Sequence, residues 1–308
     1  MCKKFYNHFM IGNVINKVDK FLGTFFFGNL NTFSYCLFNH FFCKQNLNKK
    51  ILKTNDIVRK FDEEGFASFK NINPNKINDL NIELSKQKAY KSKNNRFVYV
   101  IDDSVKKIIK SMILEDCKII LDDLKKYYNS NIYLGQALIT RNFHYDPSEG
   151  ESYSSYFHCD GYLCTYFKIL INLSDVDSNM GAINILNKVD TKNNIKLFKY
   201  SSRNYIKQKK INSQIFVNTS PVGSGLLVST PQCLHKAGIP KKNYHRDMLY
   251  LIFCAYPNKD ENIFYYEKEK NNPIWNAYSQ SVVKKLGKPY GYKNLFKLYS
   301  DFKIKNSF

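Results

Sequence analysis

Residues 154–189 read SSYFHCDGYLCTYFKILINLSDVDSNMGAINILNKV, and the fold reading starts there. The stretch opens on a His-x-Asp pair, His158 and Asp160, continues as a strand-like apolar run and ends in an acidic turn. In a β-strand, residues i and i+2 point to one face, so the imidazole and the carboxylate are expected to enter one space. That is two-thirds of a facial 2-His-1-carboxylate iron site.

Working outward, the segments on either side have strand character. Residues 133–140, 166–173, 182–186, 215–218, 226–230 and 248–255 are short β-rich runs separated by Gly, Asn, Ser and Pro. Upstream the character is helical. A short helix from Ile57, a turn at Gly65 and a strand come first, followed by helical periodicity over 75–91 and 102–128. In the last of these, Ile108, Ile109, Met112, Ile113, Ile119, Ile120 and Leu124 form an apolar stripe that reads as core. Many short strands after a helical lead-in predict an α+β fold with a mainly β core, a jelly roll or barrel with helices packed outside. Residues 1–55 read as a separate extension, rich in Phe and basic residues with almost no acid, and residues 56–308 as the main domain. The tail after Pro257 is aromatic and basic, with a helical character and no motif.

At 308 residues, 44% apolar and 16% aromatic, the chain has the composition of a globular protein with a sizeable core. Its formal charge of +21 ordinarily points to nucleic acid or an anionic membrane. Only five of the 47 basic residues are Arg, however, and the Lys are scattered among Asn. Specific phosphate and base recognition favours the bidentate guanidinium, so no specific nucleic-acid partner is predicted. The eight cysteines contain no CxxC pair and no cleavable signal peptide is visible, which together predict a reducing, cytoplasmic setting. No run of 18 uncharged apolar residues occurs, so no transmembrane helix is expected. The segment FLGTFFFGNLNTFSYCLFNHFFCK within residues 1–50 has two readings, an element lying on an anionic membrane surface or a helical extension packed on the main domain.

Six histidines supply the candidates for the rest of the site: His8, His40, His144, His158, His235 and His245. Two begin a His-x-Asp, at His144/Asp146 and at His158/Asp160, and a lone pair of this kind is equally a hydrogen-bonding pair in a surface or core. The second gains from its context. His235 lies 77 residues after His158 in GSGLLVSTPQCLHKAG, where Gly223 and Gly225 supply a turn, LLVST a strand, and the histidine follows the strand's end. Arg246 stands eleven residues further on and opens the strand RDMLYLIFCAY. A guanidinium there, read together with the three residues before it, suits a dicarboxylic acid.

HCD, then KILINLSDVDSNMGA, then GSGLLVSTPQCLH and an Arg eleven further on resembles the phytanoyl-CoA dioxygenase family, over roughly Phe61 to Tyr256. The opening FDEEGFASFKNI is similar to that family's first segment. The resemblance implies a double-stranded β-helix and a non-haem Fe(II)- and 2-oxoglutarate-dependent dioxygenase that uses O2. It implies that His158, Asp160 and His235 are the iron ligands and that Arg246 binds the distal carboxylate of 2-oxoglutarate. Lys168 falls where the family often has a basic residue reaching the cosubstrate. The resemblance also selects His158 over His144, and the intact Asp160 points to hydroxylation of a small molecule, with release of succinate and CO2, rather than halogenation. Two departures stand out: LNKVDTK replaces the family's Pro-Gly-Ser-His stretch, and Ala237 replaces a small polar residue. A long basic insertion, Lys188 to Lys210, reads as a lid or a solvated loop. Two rival functions stay open at this point. One is a metal-binding jelly roll without oxygenase activity. The other is a membrane-surface or polyanion-binding protein acting through residues 1–50.

Overall fold

The computed structural model describes residues 55–70, 72–92, 95–128, 130–150, 154–160, 166–194, 211–256, 260–268 and 274–275. The aromatic extension up to residue 54, residues 195–210 of the basic insertion and most of the tail lie outside the described residues. Helix α1 (Asp56–Glu64) starts because the Asn55 side chain accepts hydrogen bonds from the Ile57 and Val58 amides, and it stops at Gly65, whose φ of 88° is left-handed. Strand β1 (Phe66–Phe69) follows directly. Helix α2 (Pro74–Lys86) is capped by Asn73 with Pro in its first turn. The sequence reading carried this helix on to residue 91, but Gln87 is extended and residues 89–92 form β2 (Ala89–Ser92). Pairing with β3 (Arg96–Tyr99) overrides the local helical pattern there.

The stretch 102–128, expected as one helix, is two. Helix α3 (Asp103–Ser111) is capped by Asp102, and a π-helical turn over Met112–Asp116 separates it from α4 (Lys118–Tyr128). The wider turn lets Ile109, Met112, Ile113, Cys117, Ile120, Leu121 and Leu124 all face the core, whereas Ile119 is turned out, 67% exposed. Ile119 therefore leaves the predicted stripe and Cys117 enters it.

A seven-stranded antiparallel sheet in the order β1-β8-β5-β10-β4-β3-β2 dominates the molecule. Its central members are β4 (Asn131–Phe143), β5 (Tyr166–Asn172), β8 (Gly225–Val228) and β10 (His245–Tyr256). A three-stranded sheet in the order β7-β6-β9 holds β6 (Asn184–Ile185), β7 (Phe216–Val217) and β9 (His235–Lys236). The two faces of the large sheet carry different cores. Phe167, Ile169, Ile171, Leu249, Leu251 and Phe253 pack with Val58, Phe61, Leu80, Ile109, Ile120 and Leu124 of the helices. On the opposite face Leu170, Leu226, Val228 and Met248 pack with Ile183, Ile185 and Phe216 from the small sheet and its flanks. Burial on both faces explains why β5 and β8 read as continuous apolar runs rather than alternating ones. Helix α5 (Lys188–Asn194) opens the basic insertion, and its Thr191 and Asn194 are buried, so this first part is packed structure rather than solvated loop. No helix among the described residues is long and apolar enough to cross a membrane.

Candidate metal centre

The face of the large sheet that meets the small sheet holds the polar site. His158 forms an isolated antiparallel bridge with His235, each amide donating to the other's carbonyl at 3.0 Å. This bridge, rather than a continuous strand through His158 and Asp160, is what brings the two imidazoles together, with ring centroids 4.4 Å apart. The Asp160 amide donates to the Thr230 carbonyl at 3.1 Å, which fixes the carboxylate beside them. His158 Nε2 lies 3.6 Å from Asp160 Oδ1 and His235 Nε2 lies 3.9 Å from Asp160 Oδ2. All three ligand-capable atoms fall within 4.8 Å of one another.

Backbone carbonyls set the tautomers. His158 Nδ1 is 2.8 Å from the Tyr156 carbonyl and His235 Nδ1 is 3.0 Å from the Cys233 carbonyl. A carbonyl only accepts, so each Nδ1 carries a proton, and in the neutral ring the lone pair is the one on Nε2, which faces the shared space. Burial, followed by the neighbouring His158, pushes the His235 imidazole down to about 3, which keeps it neutral at physiological pH. For Asp160 burial acts to raise the carboxyl, but the Lys168 ammonium, His158 and His235 outweigh it and hold Asp160 well below the usual carboxylate range. Lys168 Nζ donates to Asp160 Oδ2 at 2.6 Å. Two imidazoles and one carboxylate, all from one side, match the donor set that non-haem Fe(II) takes.

Arg246 is fully buried on the same face of the sheet, in parity with Met248. Its Nη1 donates to the Gly181 carbonyl on the approach to β6, whereas Nε and Nη2 are buried without a partner among the described residues. Donors left open in this way suit a carboxylate.

The other His-x-Asp, His144/Asp146, does not join the cluster. His144 Nδ1 lies 2.8 Å from the Pro240 carbonyl, and Asp146 accepts from the Ser148 amide at 2.8 Å in its own turn. Ala237 is buried against Tyr145 and Ile239 and offers no polar atom. Sequence reasoning passed over Arg96, Asn142 and Tyr250, which also face this interior. Burial acts to raise the Tyr250 phenol, yet Arg246, Arg96 and Lys168 bring it below its ordinary value, a sign of positive potential inside the sheets. The alternation of Arg96 with Phe97 and Val98 was visible in the sequence; which face it served was not.

A separate cleft of about 620 Å3 lies against the other face of the large sheet, lined by Leu84, Tyr99, Ile139, Phe143, Arg141 and Asp247 among others. It contains none of the cluster, and its charges satisfy each other, because Arg141 Nε and Nη2 donate to the two Asp247 oxygens at 2.7 Å each.

No protein-family model matches the chain, and a search of curated proteins finds no match. Solved structures similar to it include HygX from Streptomyces hygroscopicus with nickel, 2-oxoglutarate and hygromycin B bound, at 15% identity, TM-score 0.49, covering 66% of this chain and 88% of HygX. SnoN, a non-heme α-ketoglutarate-dependent epimerase from nogalamycin biosynthesis, is 10% identical with TM-score 0.47, covering 68% of this chain and 84% of its own. AviO1 from Streptomyces viridochromogenes Tue57 is 11% identical with TM-score 0.46, over 66% of this chain and 96% of AviO1.

Proposed function

We propose that the chain is a non-haem Fe(II)- and 2-oxoglutarate-dependent oxygenase that hydroxylates a small molecule. The observation that carries the reading is the donor set: His158, Asp160 and His235 converge with all three ligand atoms within 4.8 Å and both Nε2 lone pairs free. In this reading the two facing sheets are the halves of a double-stranded β-helix, and the phytanoyl-CoA dioxygenase resemblance of residues 61–256 names the branch. Iron bound by these residues, with the 2-oxo acid and O2, supplies the oxidising power and leaves succinate and CO2 as coproducts.

The chain's own contribution is binding, orientation and exclusion of water. His158 and His235 turn Nε2 to the metal because their Nδ1 protons are committed to carbonyls. Asp160 supplies the one negative ligand, and Lys168 adds a cation next to it. Arg246 takes the distal carboxylate of the 2-oxo acid with its two open N–H groups, in a two-point contact that an ammonium cannot reproduce. Leu170, Leu226 and Met248 line the interior with apolar surface, which strengthens each of these electrostatic contacts.

The test is spectroscopic. Anaerobic protein with Fe(II) and 2-oxoglutarate is expected to develop a weak visible charge-transfer band. His158→Ala, Asp160→Ala and His235→Ala each lose the band and slow succinate release, and His144→Ala keeps both. A folded, iron-loaded wild type without the band refutes the reading. Retention of the band by His158→Ala and its loss in His144→Ala shows that the other pair holds the metal.

A further inference from the structure

We propose that Asn142 is a direct ligand of the same carboxylate as Arg246, and that Arg96 is the positioning residue that sets the Asn142 amide. The inference rests on the functional reading above and adds two residues to it. Arg246 on β10 pairs with Asn142 on β4, and Asn142 pairs with Arg96 on β3. Residues directly opposite in an antiparallel sheet share a face, so the three form one cross-strand row on the interior side. Arg246 and Asn142 are fully buried and Arg96 is 7% exposed.

The hydrogen bonds within the row have a direction. Arg96 Nε donates to Asn142 Oδ1 at 2.9 Å. A guanidinium has only donors, so the amide must turn its oxygen toward Arg96 and its nitrogen away. Asn142 Nδ2 is then a buried donor without a partner among the described residues, as are Arg246 Nε and Nη2. Three orphaned donors therefore stand on adjacent register positions. Buried unpaired donors are destabilising, so three of them side by side, with the Thr140 hydroxyl unpaired two residues along β4, point to a ligand that brings acceptors. A carboxylate brings two oxygens with about four lone-pair sites, enough for all three N–H groups. The amide adds a bond without adding charge, which sharpens the preference for a planar carboxylate over a spherical anion. Arg96 touches the amide oxygen and acts on the ligand through it.

The experiment compares two probes on the full-length, Fe(II)-loaded protein under anaerobic conditions: 2-oxoglutarate, and 2-oxobutyrate, which has the same 2-oxo acid head but no distal carboxylate. Loss of one hydrogen bond to a charged group predicts that Asn142→Leu weakens 2-oxoglutarate about tenfold to a hundredfold and leaves 2-oxobutyrate unchanged. Asn142→Asp keeps an oxygen toward Arg96 but turns an acceptor toward the ligand, and is expected to discriminate against 2-oxoglutarate more strongly still. Arg96→Gln lowers the affinity ratio of the two acids by a smaller factor, and Arg96→Lys, which still donates to Oδ1, recovers part of it. Equal weakening of both acids marks a merely structural role and overturns the inference, as does an unchanged ratio in Asn142→Asp. A wild type that binds neither acid overturns the functional reading itself, and this inference with it.

Discussion

Replacing Arg246 by Met separates what this residue does for binding from what it does for folding. The guanidinium is fully buried, makes one bond through Nη1 to the Gly181 carbonyl, and leaves Nε and Nη2 unpaired. Each unpaired buried donor costs about 1–3 kcal/mol, and a bond from a charged donor contributes about 1.5–3 kcal/mol. Removing the two open donors therefore gains about 2–6 kcal/mol, while losing the Nη1 bond and leaving the buried Gly181 carbonyl unpaired costs about 2.5–6 kcal/mol, so the changes offset to within about 2 kcal/mol, provided the flexible Met chain fills the space. For a chain of this size the melting temperature is expected to move by no more than roughly 4 °C. Binding moves the opposite way. Two lost charge-assisted bonds, at about 1.5–3 kcal/mol each, weaken 2-oxoglutarate by about 10² to 10⁴. Thermal and urea unfolding of the wild type and Arg246→Met, each with and without 2-oxoglutarate under anaerobic Fe(II), measure both effects. The expected pattern is a ligand-free variant within about 2 kcal/mol of the wild type that 2-oxoglutarate no longer stabilises. A ligand-free variant destabilised by more than about 2 kcal/mol makes Arg246 a structural residue and refutes the argument from its orphaned donors. Undiminished stabilisation by 2-oxoglutarate refutes the assigned contact.

Two further predictions concern the scaffold. A Cβ added at Gly225 meets the Phe69 ring at 2.2 Å, and Phe69 is itself in the core opposite Gly225 in the β1–β8 pairing. Gly225→Ala is therefore expected to cost roughly 1–3 kcal/mol by urea unfolding, and adding Phe69→Leu should lose less than the sum of the two changes; additive losses contradict the clash. Cys117, buried in the π-turn region, has its thiol pushed up to about 12 by burial and by Asp116. The unfolded thiol ionises near 9 while the folded one keeps its proton, so this stabilisation is whole below pH 9 and is lost as pH rises from 9 toward 12, at about 1.4 kcal/mol per pH unit. The stability difference between wild type and Cys117→Ala should accordingly shrink by about 1 kcal/mol between pH 8 and pH 10, and a constant difference rules the mechanism out.

Much of the candidate site could be read from local pattern. His158 and Asp160 stand two apart, His235 follows a Gly turn and an apolar strand, and Arg246 opens the longest apolar run of the C-terminal half; each is a relation among neighbours in the chain. The cores of α1, α2 and the strands were legible for the same reason, since burial on one or both faces leaves a period of 3.6 or 2 or a continuous apolar run. Two local readings failed where packing overrode them: the helix over 102–128, which the π turn divides, and the end of α2, where pairing claims residues 89–92. What local pattern could not contain is register. Arg246, Asn142 and Arg96 are separated by 46 to 150 residues in sequence and are brought to one row only by the β10–β4 and β4–β3 pairings. The same holds for the His158–His235 bridge, and the contact of Lys168 with Asp160 is likewise no property of local side-chain period. Side-chain period determines which residues of a strand share a face. Which face meets which strand, and so which buried donors go unpaired, was decided only by the tertiary hydrogen bonds between distant segments.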